Sequence, residues 1–441
     1  MQKLSLTKKY ATYPKYKDSG VEWVGDVPKT WDVATSRRLF QTKKKLASET
    51  ESQKVLSLTL NGVIPRVMDG SGKNPANYDT YQEFLKGDLV FCLFDYDVTP
   101  RTIGYVEENG MMTSAYTRLI PKSETDSKFF YYYFLYLDYT KELLHLCTGL
   151  RNSISKPLFW SLKNPLPPKE EQEKIARFLD EQTARIDETI AKKERLIELL
   201  KEKRTATINH AVTKGLDPNA ELVDSGIDWI GKIPKGWEVK KLKYSLVGSG
   251  YKAGPFGSSL ITENLAKVGK YKVFTPEHVS KNSFDFEYDA YLPDERVFEM
   301  SQFIAQEDDV LIPIVGSLGK AAVVPNGSLG IINQRLARLR PNQKILLPQF
   351  LKVLLSDSTL LKESSKTDSR GAILEHITKD KILNWFVQLP PVKEQKEIYE
   401  FVLRQMNCYD YAINQVTKSK SFLEEFKSSV ISHAVTGKIK V

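Results

Sequence analysis

Residues 166–214 read LPPKEEQEKIARFLDEQTARIDETIAKKERLIELLKEKRTATINHAVTK, and this stretch organises the rest of the chain. The double proline cannot lie inside a helix but can precede one. The acidic residues after it suit a helix N-terminus, where the macrodipole is positive. A heptad register then fits from Ile175 to Thr207, with an imperfect middle where Ile190 and Ile197 share the apolar face. The pattern predicts a long amphipathic helix, about 65 Å in length at about 1.5 Å per residue.

The same stretch recurs at the end of the chain, where residues 389–441 read LPPVKEQKEIYEFVLRQMNCYDYAINQVTKSKSFLEEFKSSVISHAVTGKIKV. Leu166 corresponds to Leu389, and His210 corresponds to His433 at the same offset. The second copy has the cleaner apolar seam. Two long amphipathic helices in one chain can bury their apolar faces against each other, so the sequence predicts an antiparallel intramolecular coiled coil.

A second repeat precedes two divergent segments. DSGVEWVGDVPKTW at residues 18–31 returns as DSGIDWIGKIPKGW at residues 224–237, and we call each copy a lead-in. Its glycines and prolines predict a compact, turn-rich structure whose tryptophans pack on the segment that follows. Residues 32–165 and 238–388 then share an order of short apolar strands and a helix but little sequence. A repeated scaffold around divergent segments indicates two readers of different targets.

The predicted fold class is therefore α+β, with two globular domains separated by two long helices in a pseudo-twofold repeat. Residues 1–165 would hold the first lead-in and domain, and residues 166–220 the central spacer helix. Residues 221–388 would hold the second lead-in and domain, and residues 389–441 the C-terminal spacer helix.

Composition restricts the class of protein. A chain of 441 residues is too long for one ordinary core. No apolar run reaches the roughly 18 residues of a membrane span, and the N-terminus has no apolar signal core, so we expect a cytoplasmic protein without a membrane partner. Cys92, Cys147 and Cys408 are widely spaced, which predicts reduced thiols. A net charge of +9 favours nucleic acid as a partner, although a lysine-rich surface alone gives the same balance.

No catalytic motif is recognisable in the sequence. GSLGK at residues 316–320 resembles a phosphate loop, but Ile314 stands at the position of the first glycine and Ala321 replaces the hydroxyl residue. No amino-methyltransferase motif is present, and the five histidines form no H-x-x-H pair. We predict a non-catalytic chain that binds no metal or cofactor of its own.

Loops rich in glycine, serine and lysine are the candidate DNA contacts. Glycine lets the backbone approach closely, hydroxyls and lysines reach phosphates, and carboxamides or guanidinium groups read base edges. The alternative is that these loops are simple turns and that the lysine run is a solvated surface. In the first segment the candidates are Lys43, Lys44, Arg66, Arg101, Thr113 and Tyr116. In the second segment they are Lys252, Ser258, Ser259, Lys320, Asn333, Gln334 and Arg335.

Taken in order, these motifs resemble the specificity subunit of type I restriction–modification systems. The resemblance covers essentially the whole chain and lies in the two lead-ins, GPFGSSL, GSLGK, INQRLARLRP, the LPP-x-x-E-Q helix starts and HAVT. It implies that each domain is a target recognition domain, which binds one half of a split, asymmetric site in double-stranded DNA. It also implies that the helices set the gap between the half-sites.

The resemblance further implies partners. Such subunits are non-catalytic and assemble with two methylation subunits, which bind S-adenosylmethionine and methylate adenine, and with restriction subunits that use ATP and Mg. The first domain departs from the pattern, because FCLFDYDVTPR at residues 91–101 lacks G-S-x-G-K and Thr113 stands where the second copy has Asn333. We therefore expect different DNA contacts there.

Two other function classes remain open from the sequence. One is a nuclease with its own active site, and the other is a coiled-coil adaptor whose domains bind proteins. A steep loss of DNA affinity with added salt would favour the DNA reader. The repeat also indicates that residues 13–17 complete what the second copy lacks after residue 441, which would make the scaffold quasi-circular.

Overall fold

The computed structural model describes residues 10–46, 54–66, 78, 80–228, 230–255, 260, 265–282, 284, 289–316, 319–357 and 377–441. The candidate contacts Ser258 and Ser259 lie outside these residues. The chain divides into two compact units, which we call unit 1 (Met1–Glu194 with Thr417–Val441) and unit 2 (Arg195–Val416). Among the helices that can be described, none is long and apolar enough to cross a membrane.

Unit 1 is built around a four-stranded antiparallel sheet with smaller strand pairs beside it. Its strands are β1 (Tyr16–Asp18), β2 (Asp26–Pro28), β3 (Asp32–Thr35), β4 (Phe40–Gln41), β5 (Leu56–Thr59), β6 (Gly62–Pro65), β7 (Tyr81–Phe84), β8 (Leu89–Phe91), β9 (Ile103–Tyr105), β10 (Gly110–Thr113), β11 (Thr117–Pro121) and β12 (Lys163–Leu166). Its helices are α1 (Ser36–Leu39), α2 (Ser127–Thr140), α3 (Lys156–Ser161) and the first part of α4 (Lys169–Lys214). The four-stranded sheet has the order β4–β11–β8–β9, and the pairs are β1–β2, β3–β12, β5–β6 and β7–β10.

Unit 2 contains a sheet of the same kind and a second, mixed sheet. Its strands are β13 (Leu222–Asp224), β14 (Lys232–Pro234), β15 (Glu238–Lys241), β16 (Leu246–Ala253), β17 (Tyr271–Phe274), β18 (Tyr291–Leu292), β19 (Ile304–Gln306), β20 (Val310–Pro313), β21 (Ala322–Val323), β22 (Leu329–Ile332), β23 (Leu336–Pro341) and β24 (Phe386–Leu389). Its helices are α5 (Pro276–Lys281), α6 (Val297–Met300), α7 (Pro348–Lys352), α8 (Lys379–Leu383) and the first part of α9 (Val392–Val435). The sheets have the orders β16–β23–β20–β21 and β18–β17–β22–β19, and β17–β22 is a parallel pair.

The two units share the four-stranded sheet and differ in what is inserted into it. β4–β11–β8–β9 and β16–β23–β20–β21 have the same strand order along the chain. Between the first and second of these strands in sequence, unit 1 carries β5, β6 and β7, whereas unit 2 carries β17, β18 and β19. The predicted α+β class and the internal repeat are confirmed. The four-part division of the sequence stays a prediction.

Antiparallel packing of the long helices is visible inside each unit. In unit 1, Lys427 Nζ of α9 lies 2.7 Å from Asp187 Oδ1 of α4, and Lys420 Nζ lies 2.6 Å from Glu194 Oε1. The position on α9 falls as the position on α4 rises, so the helices run in opposite directions. Both pairs are partly exposed, so they contribute little to stability individually and serve mainly to fix the register.

Unit 2 has equivalent contacts at the other end of each helix. Arg204 of α4 forms an ion pair with Asp410 of α9, and the hydroxyls of Thr207 and Tyr409 are 3.2 Å apart. The predicted antiparallel pairing is therefore observed within each unit. The knobs-into-holes packing of a coiled coil stays a prediction.

The glutamate of the LPP-x-x-E-Q motif fastens each lead-in to the start of a long helix. In unit 1 the indole Nε1 of Trp31 donates to Glu171 Oε1 at 3.1 Å. In unit 2 the indole Nε1 of Trp237 donates to Glu394 Oε2 at 2.9 Å. Both tryptophans are buried, and a buried indole N–H needs an acceptor. The Trp and Glu that recur in the sequence therefore form the same hydrogen bond in both units.

The glutamine of the same motif fastens each domain to its helix. Gln395 is fully buried, and its Nε2 donates to the carbonyl oxygens of Pro390 at 2.8 Å and Ile345 at 2.7 Å. Its Oε1 accepts from the N–H of Leu347, which precedes α7, at 2.8 Å. Gln172 makes the matching set of three bonds in unit 1, to Pro167, Glu124 and Asp126.

Candidate nucleic-acid interface

In unit 2, three candidate loops emerge at one end of the four-stranded sheet. β16 ends at Ala253 and β20 at Pro313, whereas β21 begins at Ala322 and β23 begins at Leu336. Because the strands are antiparallel, the chain after β16, the turn between β20 and β21, and the residues before β23 share this end. We call it the loop end of unit 2.

Glycines let these loops approach one another closely. The N–H of Gly254 donates to the carbonyl oxygen of Leu336 at 2.9 Å, and a Cβ placed on Gly254 would overlap the carbonyl oxygen of Asn333. Gly316 has a φ of +80°, and its Cβ position lies 3.3 Å from Nη2 of Arg335. At Gly254 the backbone of the Asn333–Arg335 turn therefore meets the chain after β16 directly, and at Gly316 the Arg335 side chain lies against the second loop.

The candidate side chains at this loop end differ in how they are placed. Lys320, Gln334 and Arg335 are exposed. Asn333 is half-buried, and its Oδ1 accepts from the N–H of Arg335 at 3.0 Å, so this carboxamide already holds its own turn. Lys252 contacts the side chain of Gln302 and lies 5.0 Å from the centre of the Phe303 ring. All of these DNA contacts stay predictions, and Lys320, Gln334 and Arg335 have the most suitable placement.

Unit 1 has a corresponding loop end. β4 ends at Gln41 and β8 at Phe91, whereas β9 begins at Ile103 and β11 begins at Thr117. Most of the candidates lie in the segments that emerge there: Lys43, Lys44, Arg101, Thr113 and Tyr116. Arg66 is separate, because it follows β6 at the base of the β5–β6 hairpin, where its N–H donates to Val55 O at 2.8 Å.

Arg101 is engaged inside unit 1. Its Nη2 donates to the carbonyl oxygen of Leu60 at 2.7 Å, and its Nη1 donates to the hydroxyl of Tyr131 at 3.3 Å. The guanidinium also lies 5.7 Å from the centre of the Tyr139 ring. Arg101 thus ties the tip of the β5–β6 hairpin to α2. A base contact by this residue stays a prediction, and these bonds would have to break for the side chain to reach DNA.

The sequence predicts Tyr116 as a contact but not the cluster around it at the loop end of unit 1. The rings of Phe94 and Tyr116 are nearly parallel, with 5° between their planes and 6.4 Å between their centres. The guanidinium of Arg151 lies 4.7 Å from the centre of the Phe94 ring, and its Nε donates to Asp95 Oδ1 at 2.9 Å. This bond lowers the pKa of the Asp95 carboxyl. Burial raises the pKa of Tyr116.

The family of the chain follows from comparison with known proteins. A family model described as the type I restriction modification DNA specificity domain matches residues 28–199 and residues 234–418. The chain belongs to this family, and each match includes one of the four-stranded sheets.

Curated relatives agree with this assignment. The chain is 27% identical over 345 residues to the type I restriction enzyme MjaVIII specificity subunit of Methanocaldococcus jannaschii, covering 76% of each chain. It is 28% identical over 298 residues to the type I restriction enzyme EcoBI specificity subunit of Escherichia coli, covering 62% of this chain and 58% of that one. Similarity to two specificity subunits from distant organisms supports the specificity-subunit class.

Solved structures show the same fold. One chain, solved in work on complex assembly and conformational transition of the type I R-M system, has a TM-score of 0.70 at 15% identity and covers 93% of this chain and 98% of its own. The HsdS subunit of Thermoanaerobacter tengcongensis has a TM-score of 0.52 at 16% identity, covering 94% of this chain and 98% of its own.

Proposed function

We propose that this chain is the non-catalytic specificity subunit of a type I restriction–modification complex, in which each domain reads one half of a bipartite, asymmetric DNA site. The observation that carries the proposal is the pair of loop ends, where one sheet topology presents different side chains in the two units. A shared sheet supports a shared mode of binding, and different loop residues support different target sequences. The net charge of +9 favours a polyanion as the ligand.

The proposed partners are double-stranded DNA, two methylation subunits and restriction subunits. A chain of similar fold was solved in work on assembly of the type I system, which supports this set. In this proposal the methylation subunits bind S-adenosylmethionine, the restriction subunits use ATP and Mg, and this chain binds no cofactor. The complex would act on DNA in the cytoplasm.

The long helices would set the spacing between half-sites and dock the methylation subunits. Large apolar side chains remain exposed on both helices, and their burial against a partner would favour association. On α4 and α9 they include Leu196, Leu199, Leu403 and Phe422.

Methylation mapping tests this function directly. The chain is expressed with its cognate methylation subunit, and N6-methyladenine is mapped across the host genome. We expect a split motif with one methylated adenine in each half, which disappears when this chain is deleted. Methylation that persists unchanged after the deletion would contradict the proposal and favour the adaptor.

A paired variant separates the two domains. Lys320→Ala with Arg335→Ala removes two exposed cations from the loop end of unit 2. We expect weaker recognition of one half-site and an unchanged sequence in the other. The DNA affinity of the wild-type complex should also fall steeply as salt rises, because phosphate contacts release counterions.

A further inference from the structure

A tight hairpin, residues 148–153, lies at the loop end of unit 1. It contains none of the DNA contacts predicted from the sequence. The N–H groups of Thr148 and Ser153 each donate to the other's carbonyl oxygen at 3.0 Å. The hairpin is fixed to the loop after β8, because the N–H of Asp95 donates to the carbonyl oxygen of Arg151 at 2.6 Å. This places Arg151 among the segments that emerge at the loop end. We call these residues the Arg151 hairpin.

The side chain of Arg151 is exposed yet held in one orientation. Its relative exposure is 64%, and the carboxylate of Asp95 accepts hydrogen bonds from both Nε and Nη2. Its flat face lies over the Phe94 ring, which itself stacks on Tyr116. An exposed arginine normally loses side-chain entropy on binding, and this one has lost much of it already.

The backbone around this pair is held in uncommon conformations. Asp95 has a φ of 51° and Asn152 has a φ of 38°, both in the left-handed region. Asp and Asn are the non-glycine residues that adopt this region most readily, so both turns form without a large penalty. The two residues are adjacent, because the N–H of Tyr96, which follows Asp95, donates to the carbonyl oxygen of Asn152 at 3.2 Å.

The geometry determines which chemical groups of DNA Arg151 can bind. The bonds to Asp95 use the Nε edge of the guanidinium, so the far end of the fork presents parallel N–H donors. Parallel donors match O6 and N7 of guanine in the major groove. A phosphate would be repelled by the ionised Asp95 beside the fork, whereas the guanine edge carries no net charge. The neighbouring Leu150 is fully exposed, which suits a base edge better than a phosphate.

We propose that Arg151, oriented by Asp95, reads a guanine in the half-site of the first domain. This inference rests on the proposed function and adds a specificity-determining residue to it. Tyr116, one of the predicted contacts, then has a supporting role beneath Phe94.

The test uses the full chain in complex with its methylation subunits and a DNA library in which both half-sites are randomised. The wild type should require guanine at one position of one half-site. Arg151→Ala should reduce the preference for guanine over the other bases at that position about tenfold or more. Arg151→Lys should reduce it similarly, because lysine keeps the charge but lacks the fork. Asp95→Asn should reduce it less, and the other half-site should be unchanged in each variant.

Arg38→Ala provides the matched control. Arg38 also makes two hydrogen bonds to one carboxylate, through Nε and Nη2 to Glu124 at 3.0 Å each. It lies just before β4, and Glu124 lies just after β11, so this pair is at the opposite end of the same sheet. Its loss should leave every base preference unchanged.

Three outcomes would overturn the inference. In the first, the Arg151 variants retain the wild-type preference at every position. In the second, they weaken methylation of all sequences equally, which would make Arg151 a phosphate contact. In the third, Arg151→Ala fails to fold by thermal unfolding while Arg151→Lys folds and keeps the guanine preference. A wild-type library without any split motif would instead overturn the proposed function itself.

Discussion

At the scale of single residues, two fully buried glutamines of unit 2 differ in their hydrogen bonding. Gln395 makes three hydrogen bonds, whereas Gln388, also fully buried, has no hydrogen-bond partner for Oε1 or Nε2 among the residues that the structure describes. We expect Gln395→Met to lower the free energy of unfolding by about 2 kcal/mol or more, because it leaves buried backbone groups unpaired. Gln388→Met should be neutral or stabilising. Urea denaturation of both variants measures the difference, and equal effects would contradict this account.

Gly254 is the second residue with a sharp expectation. A Cβ there would overlap the carbonyl oxygen of Asn333, so Gly254→Ala must displace the turn before β23. We expect weaker DNA binding through the second domain with a smaller loss of stability, measured by DNA titration and thermal unfolding. Gly248→Ala is the control, because Gly248 lies in β16, which ends just before Gly254, and nothing lies within 4 Å of its Cβ position. A Gly254→Ala complex with wild-type affinity would show that the turn does not contact DNA.

Some residue roles follow from local sequence patterns, and others depend on contacts between distant residues. Lys320 and Gln334 can be singled out because glycine and carboxamide patterns are local. Arg151 cannot, because its partner Asp95 lies 56 positions away and the stretch between them carries no sign of the pairing. The roles of Gln172 and Gln395 are also hidden, since the motif shows that they recur but not which backbone groups they bind.

At the scale of elements, sequence periodicity predicts individual helices and strands but not how the strands pair into sheets. Both long helices follow from the LPP starts and the apolar seams, and the structure has them at Lys169–Lys214 and Val392–Val435. The sequence also predicts short strands, but not their sheets. The parallel pairing of β17 with β22 depends on contacts between distant segments, which carry no local pattern.

The helices allow a test of spacing. Four residues inserted after Arg195, with four more inserted near Lys418, would lengthen both helices by about 6 Å. The ion pair between Glu194 and Lys420 in unit 1 and that between Arg204 and Asp410 in unit 2 would keep their partners. We expect both half-sites to be unchanged and the gap to grow by about two base pairs, at about 3.4 Å per base pair. Methylation mapping measures both the half-site sequences and the gap between them.

A single insertion is the control for the spacing test. Four residues inserted in one helix alone would shift one seam against the other and separate these ion pairs, so activity should fall rather than change its motif. If the double insertion leaves the gap unchanged, the helices do not set the spacing.

At the scale of the whole molecule, each unit connects the end of a long helix to a lead-in. The connection is covalent in unit 2 and non-covalent in unit 1. In unit 2, the chain continues from the end of α4 through Gly215 to the second lead-in, and the Cβ position of Gly215 lies 3.3 Å from Trp237 of that lead-in. In unit 1, the residues after α9 reach the first lead-in without a covalent link. Gly437 packs against Pro28 of the lead-in, and the N–H of Lys440 donates to the carbonyl oxygen of Ala11, which precedes the lead-in, at 2.7 Å.

A circular permutant tests this equivalence. Joining the two termini by a short glycine–serine linker and opening the chain after Gly215 would exchange the covalent and non-covalent connections. We expect the permutant to fold, to assemble with methylation subunits and to methylate the wild-type motif, because the contacts of each lead-in are retained. A second permutant, opened after the fully buried Leu179 of α4, should lose stability, because it interrupts a helix in the core of unit 1. Failure of the first permutant to fold, as seen by thermal unfolding, would show that the two connections are not equivalent.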